Sequence, residues 1–398
     1  MKALMQPPFR RQILLALAWN VFEFNQGVAE YAKKANWILD DLMCHNGRVP
    51  VRWKGDGIIT HVGDQSDKDL IQVLRGAKVP IVNLGYFSSS FISSRILPDN
   101  DRIGESAAEH LLSRGFENYA FYRLSSSAVV MERMNAFRRT IEATGKNFID
   151  LNFEPQLSDD PKNRVHQGRL LAWLSAQLKK VPKPIAVMAQ YDGEANDIVR
   201  ACLSVGIQIP HEVAVIGVDN DPIYSTLGPI TLTSVDSNRR LAGYRAAELL
   251  DKLLDGEKWI EKTIRIAPGG VVVRESTDIV AVEDPYVSKA LRFIWNHFKE
   301  NISVEDVIRF SGISRRGLYD RFERKVGHPI YEELMRMRLE RAKELLRKGG
   351  HKLQYIAVES GLEDAERLSK SFKRFCGMSP TEYRNQNLIP SAQADQEA

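Results

Sequence analysis

Cysteine is nearly missing from this 398-residue sequence: Cys44, Cys202 and Cys376 stand far apart, in no C-x-x-C pair and at no zinc spacing. An odd, scattered set excludes a disulfide framework and points to a reducing cytoplasm, where all three are expected to be ordinary buried residues. Long apolar runs are lacking too, since no stretch approaches the ~20 residues of a membrane span. Neither the P-loop nor G-x-G-x-x-G occurs, and G-x-S-x-G, H-E-x-x-H and kinase signatures are absent. Eight histidines give no metal spacing. No cofactor or metal is therefore expected, and nothing positive speaks for an enzyme.

What is present is unevenly charged. Residues 285–389 carry 21 Lys+Arg against 14 Asp+Glu, whereas the rest of the chain carries 34 against 37. The whole positive excess thus lies in the last quarter, as expected of an appended nucleic-acid module. At 398 residues the chain exceeds one ordinary core, and two or three domains are expected.

Through the first 280 residues short apolar runs recur: "ILLALA" (13–18), "DGIIT" (56–60), "VPIVNLG" (79–85), "YAFYR" (119–123), "PIAVMAQ" (184–190) and "VAVIGV" (213–218). Helix-period stretches lie between them, at 103–115, 133–145, 193–206 and 241–256, and several end in glycine. Continuous apolar strands alternating with amphipathic helices predict parallel α/β sheets with helices on both faces, which bind ligands at the carboxyl ends of their strands. Polar groups gather at such ends: Asp219-Asn220-Asp221, Tyr191-Asp192 and Asp99-Asn100-Asp101. Each aspartate alone also suits an N-cap or Asx turn. "FRRQILLALAW" imitates a secretory signal, but its short run reads equally as a buried first strand.

The order of these pieces carries more. "PIAVMAQYDGEANDIVRACLSVGIQIPHEVAVIGVDNDP" (184–222), "ITLTSVDSNRRLAGYRAAELL" (230–250) and "PDNDRIGESAAEHLLSRGFENYAFY" (98–122) resemble the ligand-binding domain of LacI/GalR-type repressors, over about residues 10–280. The resemblance implies a periplasmic-binding-protein-like domain of two α/β lobes with a sugar in the cleft between them. The helix-turn-helix that usually precedes it is not expected, because the first strand begins within a dozen residues of Met1. Matched motif by motif, the sugar contacts fall on Asp99, Arg133, Tyr191 and Asp219, with Asp192 beside them. A carboxylate accepts from vicinal hydroxyls, a guanidinium donates in a planar fork, and an aromatic covers the apolar face of a ring. Tyr191 departs from the pattern, standing where the family more often has Asn or another small polar residue. Trp19, Asn20, Glu23 and Phe24 lie where a first-lobe loop would reach the cleft, although Trp19 and Phe24 equally suit a core.

The last hundred residues repeat themselves. "LYDRFERKVG" (318–327) and "LSKSFKRFCG" (368–377) share Leu, Phe, Arg and Gly in one frame. Before the first copy, "SVEDVIRFSGIS" places Val304, Val307 and Ile308 on one face, behind a capping-box-like Ser303/Asp306 pair and before a tight turn at Gly312. "KLQYIAVESGL" repeats the scheme with Leu353, Ile356, Ala357 and Gly361. Helix, glycine turn and basic helix make a helix-turn-helix, and the chain contains two, joined by a helix over 329–350.

The arrangement resembles the AraC-type DNA-binding domain, whose C-terminal signature "GLEDAERLSKSFKRFCGMSPTEYR" (361–384) follows nearly throughout, with Leu362 and Leu368 in place of phenylalanines. That pattern exposes Arg315, Arg316, Tyr319 and Asp320 on the first recognition helix, and Ala365, Glu366, Arg367 and Lys370 on the second. Arginine can grip a guanine and Glu366 a cytosine amino group, while Lys373 and Arg374 suit phosphates. The expected division is a sugar domain over 1–280, a DNA domain over 281–390 and a tail over 391–398. In this order the modules resemble the bacterial xylose operon regulators. That implies a cytoplasmic, dimeric transcription activator with D-xylose as effector, double-stranded operator DNA and RNA polymerase as partners, and no membrane association. Another pentose, hexose or polyol remains open, as do an exported sugar-binding protein and a sugar-processing enzyme using Asp99, Asp192 or Asp219.

Overall fold

The computed structural model describes residues 10–17, 22–50, 52–63, 68–154, 167–257, 262–279 and 284–387. In chain order its α/β part runs β1 (Gln12–Leu17), α1 (Phe22–Lys34), β2 (Ile38–Asp40), α2 (Leu42–Asn46), β3 (Gly57–His61), α3 (Lys68–Gly76), β4 (Ile81–Asn83), β5 (Ser94–Pro98), α4 (Asn100–Ser113), β6 (Asn118–Arg123), α5 (Ala128–Glu142) and β7 (Asn147–Asn152). It continues with α6 (Gln167–Lys180), β8 (Ile185–Ala189), α7 (Asp192–Ser204), β9 (Val213–Val218), α8 (Pro222–Ser225), β10 (Thr233–Asp236), α9 (Arg239–Leu254), β11 (Thr263–Ile266) and β12 (Gly270–Val272). The helical part comprises α10 (Pro285–His297), α11 (Val304–Ser311), α12 (Arg315–Val326), α13 (Ile330–Lys348), α14 (Leu353–Glu359), α15 (Ala365–Cys376) and α16 (Pro380–Asn387).

The described strands form two six-stranded sheets, ordered β11-β5-β4-β3-β1-β2 and β12-β10-β9-β8-β6-β7. Every pairing is parallel except β10 with β12. The chain divides into two compact units: residues through Asp99 with Asn238–Ala267 hold the first sheet, and Asn100–Ser237 with the chain from Pro268 to Leu388 hold the second sheet and the helical part. β1 is buried along five of its six residues and pairs with both β2 and β3, so "ILLAL" is a core strand; Ala18 lies outside the described residues. In the first unit, Ile13, Leu15 and Ile59 pack against α1 and α9, and Leu14, Ile58 and Ile81 fill the other face. The second sheet is likewise covered on both faces. Of the cysteines only Cys202 is buried; Cys44 and Cys376 are half-exposed, against expectation, because α2 and the end of α15 lie at the surface.

The helical part has two small cores that share one helix. Ile330 and Leu334 of α13 pack with Val307, Leu318 and Phe322; Met335, Leu339, Ala342, Leu345 and Leu346 of the same helix pack with Ile356, Leu368 and Phe372. A nineteen-residue helix is long enough, at ~1.5 Å per residue, to serve both. The Ser303/Asp306 capping box forms, and Gly312 and Gly361 turn at φ 78° and 76°. Arg338, nearly buried on α13, donates to the carbonyls of Phe298, Glu300 and Ile302, so the α10–α11 connection has its acceptors satisfied from the shared helix.

Within the second unit the helical part meets the α/β part beside α4 and at β12, where Glu340 and Arg347 of α13 approach Gly270. The Arg114 guanidinium, just past α4, lies 3.6 Å from the centroid of the Trp295 ring on α10. The Trp295 indole N–H donates to Glu333, which is 0% exposed and also takes bonds from His328 and Arg336. Burial pushes the Glu333 carboxyl up, but the Arg336 guanidinium and these hydrogen bonds hold it well below the usual carboxylate range. Glu109 of α4 feels Glu340, Arg336 and Lys343 of α13; burial first, then Glu340, pushes its carboxyl up. His110 bonds Thr277, in the segment leading to the helical part.

Helix α4 meets α5 at Gly104, where a methyl would collide with the carbonyl oxygen of Arg133 and crowd Ala136 and Phe137. Backbone cannot yield as a flexible side chain can. Gly104→Ala is therefore expected to cost about 1–3 kcal/mol of stability, even after alanine's helix propensity is counted. Denaturant unfolding of the full chain measures it.

Candidate functional site

Arg133 organises the second unit's strand ends. It projects from α5 and is 2% exposed. Its Nε donates to Asn100 Oδ1 at 2.8 Å, Nη1 donates to the Gln190 carbonyl at 2.7 Å, and Nη2 lies 3.8 Å from Asp219 Oδ1. The guanidinium carbon sits 4.8 Å from the Tyr191 ring centroid. Asn100 begins α4, Gln190 follows β8, Tyr191 precedes α7 and Asp219 follows β9, so carboxyl ends of strands and helix starts converge here as parallel sheets provide. Arg133, Tyr191 and Asp219 are thus brought together.

Asp219 is held in an unusual backbone. Its φ is 104° and that of Asn220 is 56°, a left-handed pair of non-glycine residues of the kind that surrounding structure must enforce. Asp219 N donates to the Val235 carbonyl and Asp219 Oδ1 accepts from Ser237 Oγ at 2.8 Å. Asn220 N donates to Ser234 Oγ at 2.9 Å, and its Oδ1 accepts from Arg274 Nη2 at 2.7 Å.

Asp192, expected beside the sugar contacts, is a correction. Its side chain is turned into the protein and is 2% exposed: Oδ1 accepts from Ser234 Oγ at 2.7 Å and Oδ2 from Asp221 N at 2.8 Å. Phe24 is a second correction. It is 3% exposed and packs in the first unit's core beside Val28, Ile59 and Leu84, because the helix period turns that position onto the sheet. Glu23, one position earlier, is half-buried in the first turn of α1. Asp99 is half-buried in the first unit, its N–H donating to the Ile266 carbonyl. Trp19 and Asn20 lie outside the described residues. Ser234, Ser237 and Arg274 were not foreseen, and Asn100 was read only as part of a polar strand end; Asn100 and Arg133 stand thirty-three residues apart, and no local signal links them.

On the two recognition helices most, but not all, of the residues expected to be exposed are so. On α12, Arg315, Arg316 and Asp320 are exposed, while Tyr319 is half-buried against the first small core. On α15, Glu366, Arg367, Lys370, Lys373 and Arg374 are exposed, and Ala365 is half-buried behind the Asp364 cap, which accepts from Arg367 N at 2.7 Å. Arg315 pairs with Glu305, Arg367 with Glu363 and Lys370 with Glu366. Such exposed pairs are worth about 0–1 kcal/mol each, so phosphates or bases can displace them.

Among the described residues, no group of three or more His, Cys, Asp or Glu could hold a metal ion, and no helix is long and apolar enough to cross a membrane. Residues 108–277 match a periplasmic binding protein-like domain, and residues 308–386 match a helix-turn-helix domain. A periplasmic-binding-protein-type sensor joined to paired helix-turn-helix motifs defines a sugar-responsive, DNA-binding transcription regulator. The chain is 32% identical over 376 residues to the xylose operon regulatory protein of Escherichia coli strain K12, spanning 91% of this chain and 93% of that one. It is 28% identical to the Haemophilus influenzae protein of the same name, over 90% of this chain and 93% of that one. The solved structure of a xylose-binding transcription activator, XylR, matches with a TM-score of 0.57 and 31% identity, covering 96% of this chain and 100% of that one. The chain belongs to the xylose operon regulator family.

Burial pushes the Asp192 carboxyl up to about 7; the Ser234 bond opposes the shift and the Asp219 charge adds to it. Asp219, Asp221 and Arg274 are the charged groups around it. Because its folded value lies above its ordinary 3.8, the native state holds a proton that the unfolded chain has lost between about pH 4 and 7. Its contribution to stability is therefore full below that window and declines as pH rises through it. Unfolding free energy against pH should show this decline in the wild-type chain, and Asp192→Asn should flatten that part of the curve.

Proposed function

We propose that this chain is a D-xylose-responsive activator of pentose catabolic genes. The observation that carries the reading is one shared element: α4 begins at Asn100 against the Arg133 guanidinium and ends beside Arg114, which stacks on Trp295 of the DNA-binding part. A sugar engaging Arg133, Asp219 and the Tyr191 ring acts on the end of a helix on which the DNA-binding part rests. Asp99, Glu23, Trp19 and Asn20 are further proposed sugar contacts. Residues 1–280 serve as the sensor and 281–390 as the DNA-binding part, with 391–398 as a tail.

The protein works in the cytoplasm as a homodimer, bringing four recognition helices to paired direct or inverted half-sites and presenting RNA polymerase with a bound activator. Each protomer sets two helices into successive major-groove segments, ~34 Å apart on one DNA face. Sugar controls this only through unequal affinity for two states; a hundredfold ratio supplies about 2.7 kcal/mol of bias. The names of the relatives, regulators of a xylose operon and a xylose-binding activator, favour D-xylose as the sugar.

Calorimetric titration with D-xylose, L-arabinose, D-ribose and D-glucose tests the ligand. D-xylose should bind tightest, and Arg133→Lys, which loses the planar fork, should weaken it by about tenfold or more. If none of these sugars binds, the effector assignment fails. On operator DNA, Lys373→Ala should weaken binding across sequences and reduce the salt slope by about 1, whereas Glu366→Ala should change base preference.

A further inference from the structure

The turn after β9 has a backbone that needs a cause. Two consecutive non-glycine residues, Asp219 and Asn220, are left-handed at φ 104° and 56°, a strained conformation that persists only where neighbours impose it. One buried carboxylate reaches both sides of this turn. Asp192 Oδ2 accepts from the N–H of Asp221, the residue following the pair. Asp192 Oδ1 accepts from Ser234 Oγ, and that same hydroxyl oxygen accepts from Asn220 N. Two consecutive backbone donors are thus fixed by one side chain, the first through a serine relay. The carboxylate itself fits only because β9 has glycine opposite: a methyl at Gly217 would collide with Asp192 Oδ1. The outcome is that the Asp219 carboxylate lies beside Arg133, 3.8 Å from Nη2.

We propose that Asp192 is the positioning residue of the sugar site: it touches no sugar, but through Ser234 and Asp221 it holds the left-handed turn that aims Asp219 beside Arg133. This deepens the sugar-sensing reading and rests on it. Specificity for hydroxyls then depends on a buried carboxylate one layer behind the contact residues, and Gly217 and Ser234 belong to the same device.

The test uses the full chain and three variants: Asp192→Ala, Asp192→Asn and Gly217→Ala. Asparagine keeps one acceptor oxygen, alanine keeps none, and Gly217→Ala displaces the carboxylate without removing it. D-xylose affinity by calorimetry should fall by about tenfold or more in Asp192→Ala and Gly217→Ala, with Asp192→Asn falling less. A merely structural loss would track the melting temperature and would not rank the variants by acceptor oxygens remaining. Crystal structures of the same variants should show Asn220 leaving its left-handed geometry and Asp219 moving away from Arg133. If wild type binds D-xylose and all soluble variants stay within about twofold of it, the positioning role is overturned. If wild type binds no sugar, the effector assignment is what fails. The crystal structures then decide alone: a relaxed turn supports the role and an unchanged turn overturns it.

Discussion

A buried guanidinium is the constraint on which the second unit depends. Taking Arg133 out of water is tolerable only where its donors are met and a counter-charge stands near. Asn100, the Gln190 carbonyl and Asp219 meet those needs, and they come from the start of α4, the end of β8 and the turn after β9. One side chain therefore fixes three chain segments to each other. A hydroxyl entering beside Arg133 would meet a charge network that already has defined partners. The left-handed turn at Asp219 is part of this, since the carboxylate reaches Arg133 from a backbone that its neighbours impose.

The second dependence runs through α4. At one end it supplies Asn100 to Arg133; near its middle Gly104 lets it lie against α5; past its other end Arg114 lies over Trp295. Trp295 is itself tied to Glu333, and Glu333 to His328 and Arg336, so the contact leads into the helix that both small cores share. One helix thus links the surroundings of the Arg133 guanidinium to the stacked Arg114 cation. α13 also supplies core residues beneath both recognition helices.

Much of this was legible in the sequence where the governing interactions are short-range. The six apolar runs became strands with ends shifted by at most two residues, and the capping box, the glycine turns and the repeated basic helices stood where 3.6-residue spacing put them. Arg133, Tyr191 and Asp219 were placed together by motif matching. Asp192 was misjudged because its partners, Ser234 and the Asp221 amide, lie forty-two and twenty-nine residues away, and a buried carboxylate looks identical to an exposed one in sequence. Phe24 fell to the core for the ordinary reason that an aromatic at that helix position faces the sheet. The stacking of Arg114 on Trp295 had no sequence signature, since it joins side chains of parts that read as separate modules.

The most direct measurement is a salt-matched titration and footprint on promoter DNA, with and without D-xylose, comparing wild type with Trp295→Ala. The account predicts that sugar shifts the affinity or footprint of wild type. Trp295→Ala should still bind both sugar and DNA but lose the shift. A full sugar-dependent shift in Trp295→Ala, or none in wild type, would contradict it.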